Sequence, residues 1–294
     1  MKTLIINLGP LGDVVRTTVL LREIEGEIYW LTKRECKDVL LSKRIKKIIF
    51  FEDEASIENL KKINFDLVIS LNEELDALNV VKELKYDRLI GVFLNREGRV
   101  DYTKDSSYWF DMSLSSKYGK AKADELKAKN TKSLPQILIE MIGKGWHEQE
   151  YDLGIEGKKI HGRIGIINLV TGKWPNKGWA YYKELAEILK REGFDVKFLG
   201  KRASIKEHIE DINNCELIIC GDTLGMHIAL ALKKKVVALF NCTSPNEIYG
   251  YGRMEKVVSP LLKKYFYKKE FNEEAIKAIK IEEVHKAIKK ILKE

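Results

Sequence analysis

Three short stretches of the chain carry residue types that handle phosphate and charge. The most telling is Gly221-Asp222-Thr223-Leu224-Gly225, which breaks an apolar run ending at Cys220 and leads into a small apolar helix expected over 226–232. Small residues let a backbone come close to a ligand. A helix that starts just after them offers unpaired N–H groups and the positive end of its dipole, which suits a phosphate. The second stretch, Trp174-Pro175-Asn176-Lys177-Gly178-Trp179, sets a lysine between two tryptophans, with Lys173 just ahead of it. The third is Gly9-Pro10-Leu11-Gly12-Asp13. Asp13 stands where a helix should begin, and Asp is among the best residues at a helix N-cap.

Strands and helices must bring these stretches to a common edge of a sheet. Short apolar runs at 4–8, 27–31, 45–51, 65–71 and 88–93 read as strands, separated by helical or polar stretches at 36–42, 54–63 and 73–84. The pattern restarts after a glycine-bearing crossing at 143–159, with strands expected at 163–169, 195–199, 216–220 and 236–240 and helices at 179–191, 204–212 and 281–292. Val257-Val258 suggests one more short strand. Such alternation argues βαβ units, parallel sheets and an α/β fold of two Rossmann-like halves. In that architecture ligands lie outside the carboxyl ends of the strands, where the 221–225 turn and the polar loop Thr243-Ser244-Pro245 both fall. Residues 95–130 stand apart as a long irregular segment mixing lysines and arginines with Tyr102, Tyr108, Trp109, Phe110 and Tyr118.

Composition narrows the class. With 294 residues and 45% apolar content, two real cores are affordable. The net charge of +8 admits nucleic acid, an anionic membrane surface or a phosphorylated ligand, but the lysines are dispersed, so nucleic acid is not expected. Cys36, Cys215, Cys220 and Cys242 show no C-x-x-C spacing, which argues against a zinc site. No secretory signal and no apolar run near the roughly 20 residues of a membrane span is evident. A cytoplasmic protein is expected.

Together, four segments resemble glycosyltransferase family 9, the ADP-heptose:lipopolysaccharide heptosyltransferases and their relatives. Leu8-Gly9-Pro10-Leu11-Gly12-Asp13-Val14-Val15-Arg16-Thr17-Thr18 is similar to the family's L-G-D-x-x-x-T-x-P, and Trp174–Trp179 to W-P-x-K-x-W. Gly221–Ala229 is similar to D-T-G-x-x-H-x-x-A-A-L, and Leu239–Pro245 to F-G-x-T-x-P. This chain departs from the pattern at Val19, at the Leu224-Gly225 order, at Asn241 in place of glycine, and in a shortened 199–216 region. It also lacks, at Lys201-Arg202, the carboxylate that typically meets the donor ribose.

The resemblance implies a GT-B fold: an acceptor-binding domain over 1–150 and a nucleotide-sugar-binding domain over 151–274, facing across a cleft. A C-terminal helical stretch over 275–294 would pack back toward the first domain. It also implies an inverting transfer from a nucleoside-diphosphate sugar, with an ADP-linked sugar as one candidate, to a saccharide or lipid-linked acceptor, with neither metal nor cofactor. Asp13 would be the general base, taking the proton of the attacking hydroxyl, and Lys177 would offset charge on the departing diphosphate. Thr171, Lys173, Asp222, Thr223, Leu224, Gly225, His227 and Thr243 would contact the donor, and Gly12, Arg96 and Arg99 the acceptor. Asp222, repelled by phosphate, would orient its loop or meet a sugar hydroxyl. For Asp13 the N-cap role remains the competing reading; for Lys177 it is an ordinary solvated lysine. His227 is read either as a packed histidine or as a hydrogen-bonding partner of the loop. The other four histidines are read as surface residues. A catalytically degenerate nucleotide-binding protein of the same fold is the alternative function.

Overall fold

The computed structural model describes residues 1–170 and 172–293. The chain divides into two compact units, Met1–Gly154 and Ile155–Glu294. The first contains, in order, β1 (Lys2–Ile6), α1 (Leu11–Thr17), β2 (Glu27–Thr32), β3 (Ile45–Phe50), α2 (Glu54–Leu60), β4 (Asn64–Ser70), α3 (Leu75–Glu83), β5 (Lys85–Leu94), β6 (Val100–Tyr102), α4 (Ser107–Phe110), α5 (Gly119–Lys129) and α6 (Leu134–Met141). Its sheet runs β3-β2-β1-β4-β5-β6. All pairings are parallel except the β5–β6 hairpin. Inner strands of a parallel sheet are covered on both faces, so they read as continuous apolar runs. Accordingly Leu4, Ile5 and Ile6 of β1 are all fully buried, with Ile5 paired to Trp30 on one side and Ile69 on the other.

The second unit holds β7 (Arg163–Ile167), α7 (Tyr182–Arg191), β8 (Asp195–Phe198), α8 (Ile205–Asn213), β9 (Leu217–Gly221), α9 (Leu224–Ala231), β10 (Lys235–Phe240), β11 (Met254–Val258), α10 (Leu262–Tyr265), α11 (Glu273–Lys277) and α12 (Ile281–Lys293). Its five parallel strands run β11-β10-β9-β7-β8. Helix α9 is buried from Gly225 to Ala231, as its uniformly apolar sequence requires.

One feature departs from the sequence reading. Segment 95–130 is not irregular: it closes the β5–β6 hairpin and then forms α4 and α5. Helix α5 buries only Ala123, so it has no apolar stripe from which a 3.6-residue period could be read. The face Val284, Ala287, Ile288 and Ile291 of α12 lies in the second unit's own core, with Ile164, Leu217 and Val237. Acidic Glu282 and Glu283 in its first turn and lysines in its last suit the helix dipole. Among the described residues no helix is long and apolar enough to cross a membrane.

Candidate active site

Each sheet has one place where neighbouring strands send their connections in opposite directions. In the first unit it lies between β1 and β4, in the second between β7 and β9. Open α/β sheets bind ligands outside the carboxyl ends of the strands at such points. The motif residues fall there: Asp13 follows β1, Lys177 follows β7 and Asp222–Gly225 follows β9.

In the first unit the loop after β1 is held from several sides. The Leu8 amide donates to Asn72 Oδ1 (2.5 Å), in the loop after β4, and the Gly9 amide to Asn7 Oδ1 (3.1 Å). Gly9 has φ +110°, a backbone conformation that only glycine adopts without strain. Pro10 takes the N-cap of α1, and its carbonyl accepts the Asp13 and Val14 amides at 2.9 and 3.1 Å. Asp13 is therefore in the first turn of α1 rather than at its cap, which removes the competing structural reading. Its side chain is 46% exposed and pairs with Arg16 Nη1 at 3.1 Å. Gly12 precedes it within the helix. Thr17 is committed to the fold: its hydroxyl accepts from Asn7 Nδ2 and donates to the Asp13 carbonyl, both at 2.8 Å. Arg96 and Arg99 are exposed at the β5–β6 turn, where Asn95 Oδ1 accepts the Glu97 and Arg99 amides (both 3.0 Å) and Arg99 pairs with Glu97. Among the described residues no hydrogen bond or ion pair links them to Asp13.

The second unit draws its motif residues into one cluster. Lys177 Nζ donates to Asp222 Oδ2 at 2.9 Å, and both side chains are largely buried, 20% and 15% exposed. His227 Nε2 stands 3.7 Å from the other Asp222 oxygen. His227 is thus a buried neighbour of the loop, and Asp222 holds the Lys177 ammonium. Both loop glycines are explained by contact. A Cβ on Gly221 would lie 2.4 Å from the Lys177 carbonyl oxygen, and one on Gly225 would lie 2.3 Å from Ile167 Cδ1. Glycine here lets the lysine loop rest directly on the end of β9 and α9 press against the end of β7.

Thr223 occupies the N-cap of α9, yet its hydroxyl makes no cap hydrogen bond. Its Oγ1 is buried and has no hydrogen-bond partner among the described residues. The first N–H groups of α9 have no intrahelical acceptor by helix geometry, so donors and a lysine converge at the head of α9. Thr243 is buried in the bend after β10, and Lys173 is exposed. Thr171 lies outside the described residues.

Sequence reading missed two features. His208, taken for a surface residue, is buried, and its Nε2 would lie 3.4 Å from a Cβ on Gly225. Burial pushes its imidazole below the ordinary value, and its place on the buried face of amphipathic α8, next to Ile209 and one turn before Ile212, was the signal that would have found it. The second is Trp174, whose ring has Lys177 Nζ 5.9 Å and Lys269 Nζ 5.6 Å from its centroid, within cation–π range. The four cysteines are free and buried. Burial raises the thiol pKa at each, which disfavours the reactive thiolate. Among the described residues no group of three or more His, Cys, Asp or Glu is placed to hold a metal ion.

Comparison with known proteins is consistent with this geometry. Residues 55–277 match glycosyltransferase family 9 (heptosyltransferase). The chain is 22% identical to lipopolysaccharide heptosyltransferase 1 of Campylobacter coli, over 83% of this chain and 84% of that one. Its fold is similar to that of a family 9 glycosyl transferase from Veillonella parvula (TM-score 0.67, 15% identity, 99% of this chain and 97% of that one). It is also similar to E. coli heptosyltransferase WaaC with ADP-2-deoxy-2-fluoro heptose (TM-score 0.63, 15% identity, 100% and 99%). Two α/β units of the GT-B kind and a family match over most of the length lead to one conclusion: the chain belongs to glycosyltransferase family 9 and is a glycosyltransferase.

Proposed function

We propose that this enzyme moves a heptose from ADP-heptose to a saccharide acceptor of the lipopolysaccharide type, with inversion and without a metal ion. The observation that carries the reading is the Lys177–Asp222 pair at the head of α9, beside the Thr223 hydroxyl. A helix N-terminus with a held cation suits a diphosphate. The solved relative with an ADP-linked fluoro-heptose supports the choice of donor.

In the proposed step, Asp13 accepts the proton of an acceptor hydroxyl as its oxygen bonds to the anomeric carbon. The bond from that carbon to the β-phosphate oxygen breaks, and its electron pair leaves with ADP. Lys177, the Thr223 hydroxyl and the N–H groups of Leu224 and Gly225 meet the charge that gathers on the diphosphate. Lys173, His227 and Thr243 belong to the donor side of the reading, and Gly12, Arg96 and Arg99 to the acceptor side. A lipid-anchored acceptor would be met by peripheral contact at an anionic, cytoplasm-facing membrane surface, in keeping with the net charge of +8.

The test is Asp13→Asn. Transfer from ADP-heptose should fall by about a thousandfold, within the roughly 10²–10⁴-fold range of general-base catalysis. ADP binding by calorimetry should stay within about twofold. Stability should fall by no more than about 2 kcal/mol, because Asp13 itself is half exposed, although its partner Arg16 is only 10% exposed, and the N-cap is Pro10. Retained transfer would refute the assignment. Tight ADP binding by the wild type with no product from any acceptor would identify a binding protein instead.

A further inference from the structure

We propose that Asn176 and Asn241 are positioning residues that hold Lys177 ready for the leaving diphosphate; this rests on the reading of Lys177 given above. The two amides grip the residues on either side of the lysine. Asn176, fully buried, donates through Nδ2 to the carbonyls of Glu270 (2.7 Å) and Lys268 (3.2 Å) and accepts the Asn272 amide at Oδ1 (2.8 Å). It ties the single turn Pro175–Lys177 to the segment that leads into α11. Asn241, 1% exposed, donates through Nδ2 to the Gly178 carbonyl at 2.6 Å. The flipped amide would set oxygen against oxygen, so the donor end must face Gly178. Asn241 Oδ1 is buried with no hydrogen-bond partner among the described residues, so the bond to Gly178 is the one polar contact that justifies an amide there. This is also the place where the F-G-x-T-x-P pattern has glycine.

A lysine has a flexible four-carbon stem, and a cation stabilises a transition state best when it is already in place. Here the stem's root is immobilised from three directions. Asn176 fixes the residue before it, Asn241 fixes the residue after it, and its own carbonyl rests on Gly221. The Asp222 carboxylate then takes up the free end.

The test is Asn241→Gly, which deletes the buried amide and its hydrogen bond to Gly178, measured as ADP release from ADP-heptose with heptose-free lipopolysaccharide as acceptor. Its kcat should fall about tenfold, with KM for the donor within about twofold, as expected when a catalytic group loses its alignment. Asn241→Asp, which sets a carboxylate against the Gly178 carbonyl, should fall at least as far. Placed on Lys177→Met, Asn241→Gly should change nothing further, since it acts only through the lysine. Should the glycine variant unfold, Asn241→Ser is judged by the same two criteria. Wild-type kcat in Asn241→Gly, or a full further loss on the Lys177→Met background, overturns the proposal. If Lys177→Met itself turns over at the wild-type rate, the reading of Lys177 fails, and the brace with it. An inactive Lys177→Met beside a normal Asn241→Gly refutes the brace alone.

Discussion

Replacing Lys177 and Asp222 singly and together separates what the pair does for stability from what it does for transfer. The two side chains meet at 2.9 Å with 20% and 15% of their surfaces exposed. Breaking a fully buried pair by removing one partner costs about 3–5 kcal/mol. Here some solvent reaches both groups, and His227 Nε2 stands 3.7 Å from the other Asp222 oxygen, so Lys177→Met should cost about 1–3 kcal/mol. That corresponds to a fall of roughly 2–5 °C in Tm for a chain of this size. Lys177→Met/Asp222→Asn leaves no uncompensated charge and should recover most of that loss. Transfer should behave differently. Loss of one group that stabilises developing charge costs about 10²–10³ in kcat, and the double variant should regain none of it. The measurements are thermal unfolding and ADP release from ADP-heptose for all four proteins. Recovery of turnover in the double variant would refute the assignment, because it would mean that the lysine serves only to neutralise Asp222.

Further expectations follow from contacts around the two sites. Gly221→Ala would put a methyl 2.4 Å from the Lys177 carbonyl oxygen, so the lysine loop must shift. Stability should fall by about 1–3 kcal/mol in urea unfolding, and kcat should fall with it. Arg96→Ala with Arg99→Ala should raise the acceptor KM while leaving Tm unchanged, since both side chains are exposed at a hairpin turn. For Glu140, burial pushes the carboxyl up, but hydrogen bonds from Lys132 (2.6 Å) and Gln136 (2.8 Å) outweigh it and hold the group below its ordinary value of 4.5. A carboxyl lowered on folding stabilises the protein fully above its unfolded value and loses that contribution as pH falls through the folded one. Urea midpoints of Glu140→Gln should therefore decline less steeply on acidification than those of the wild type; equal slopes would show that this carboxyl contributes nothing.

Local pattern was enough to locate most strands, because the inner strands of parallel sheets are apolar throughout and glycines mark the turns between them. It failed where the physical cause is not local. Helix α5 has a polar surface nearly all round, and only the buried Ala123 shows which side faces the protein. His208 looked like any helix-surface histidine until α8 was laid against Gly225. Asp13 was ambiguous because one residue type serves both as a cap and as a base, and the cap reading falls only when Pro10 is seen to hold the cap.

The lysines show the limit most clearly. Lys173 and Lys177 lie in the same short polar stretch, and no property of either residue tells them apart. What separates them are contacts made across long stretches of chain. The Lys177 carbonyl lies against Gly221, its ammonium reaches Asp222, and Asn241 holds the neighbouring Gly178 from 63 residues away. Lys173 is exposed. A motif therefore names the residues able to do the chemistry, whereas the ability to do it at the right place comes from buried amides and glycine contacts that carry no charge and lie outside the pattern. On that argument the motif lysine alone, transplanted without Asn176, Asn241 and Gly221 around it, would bring its charge but not its alignment.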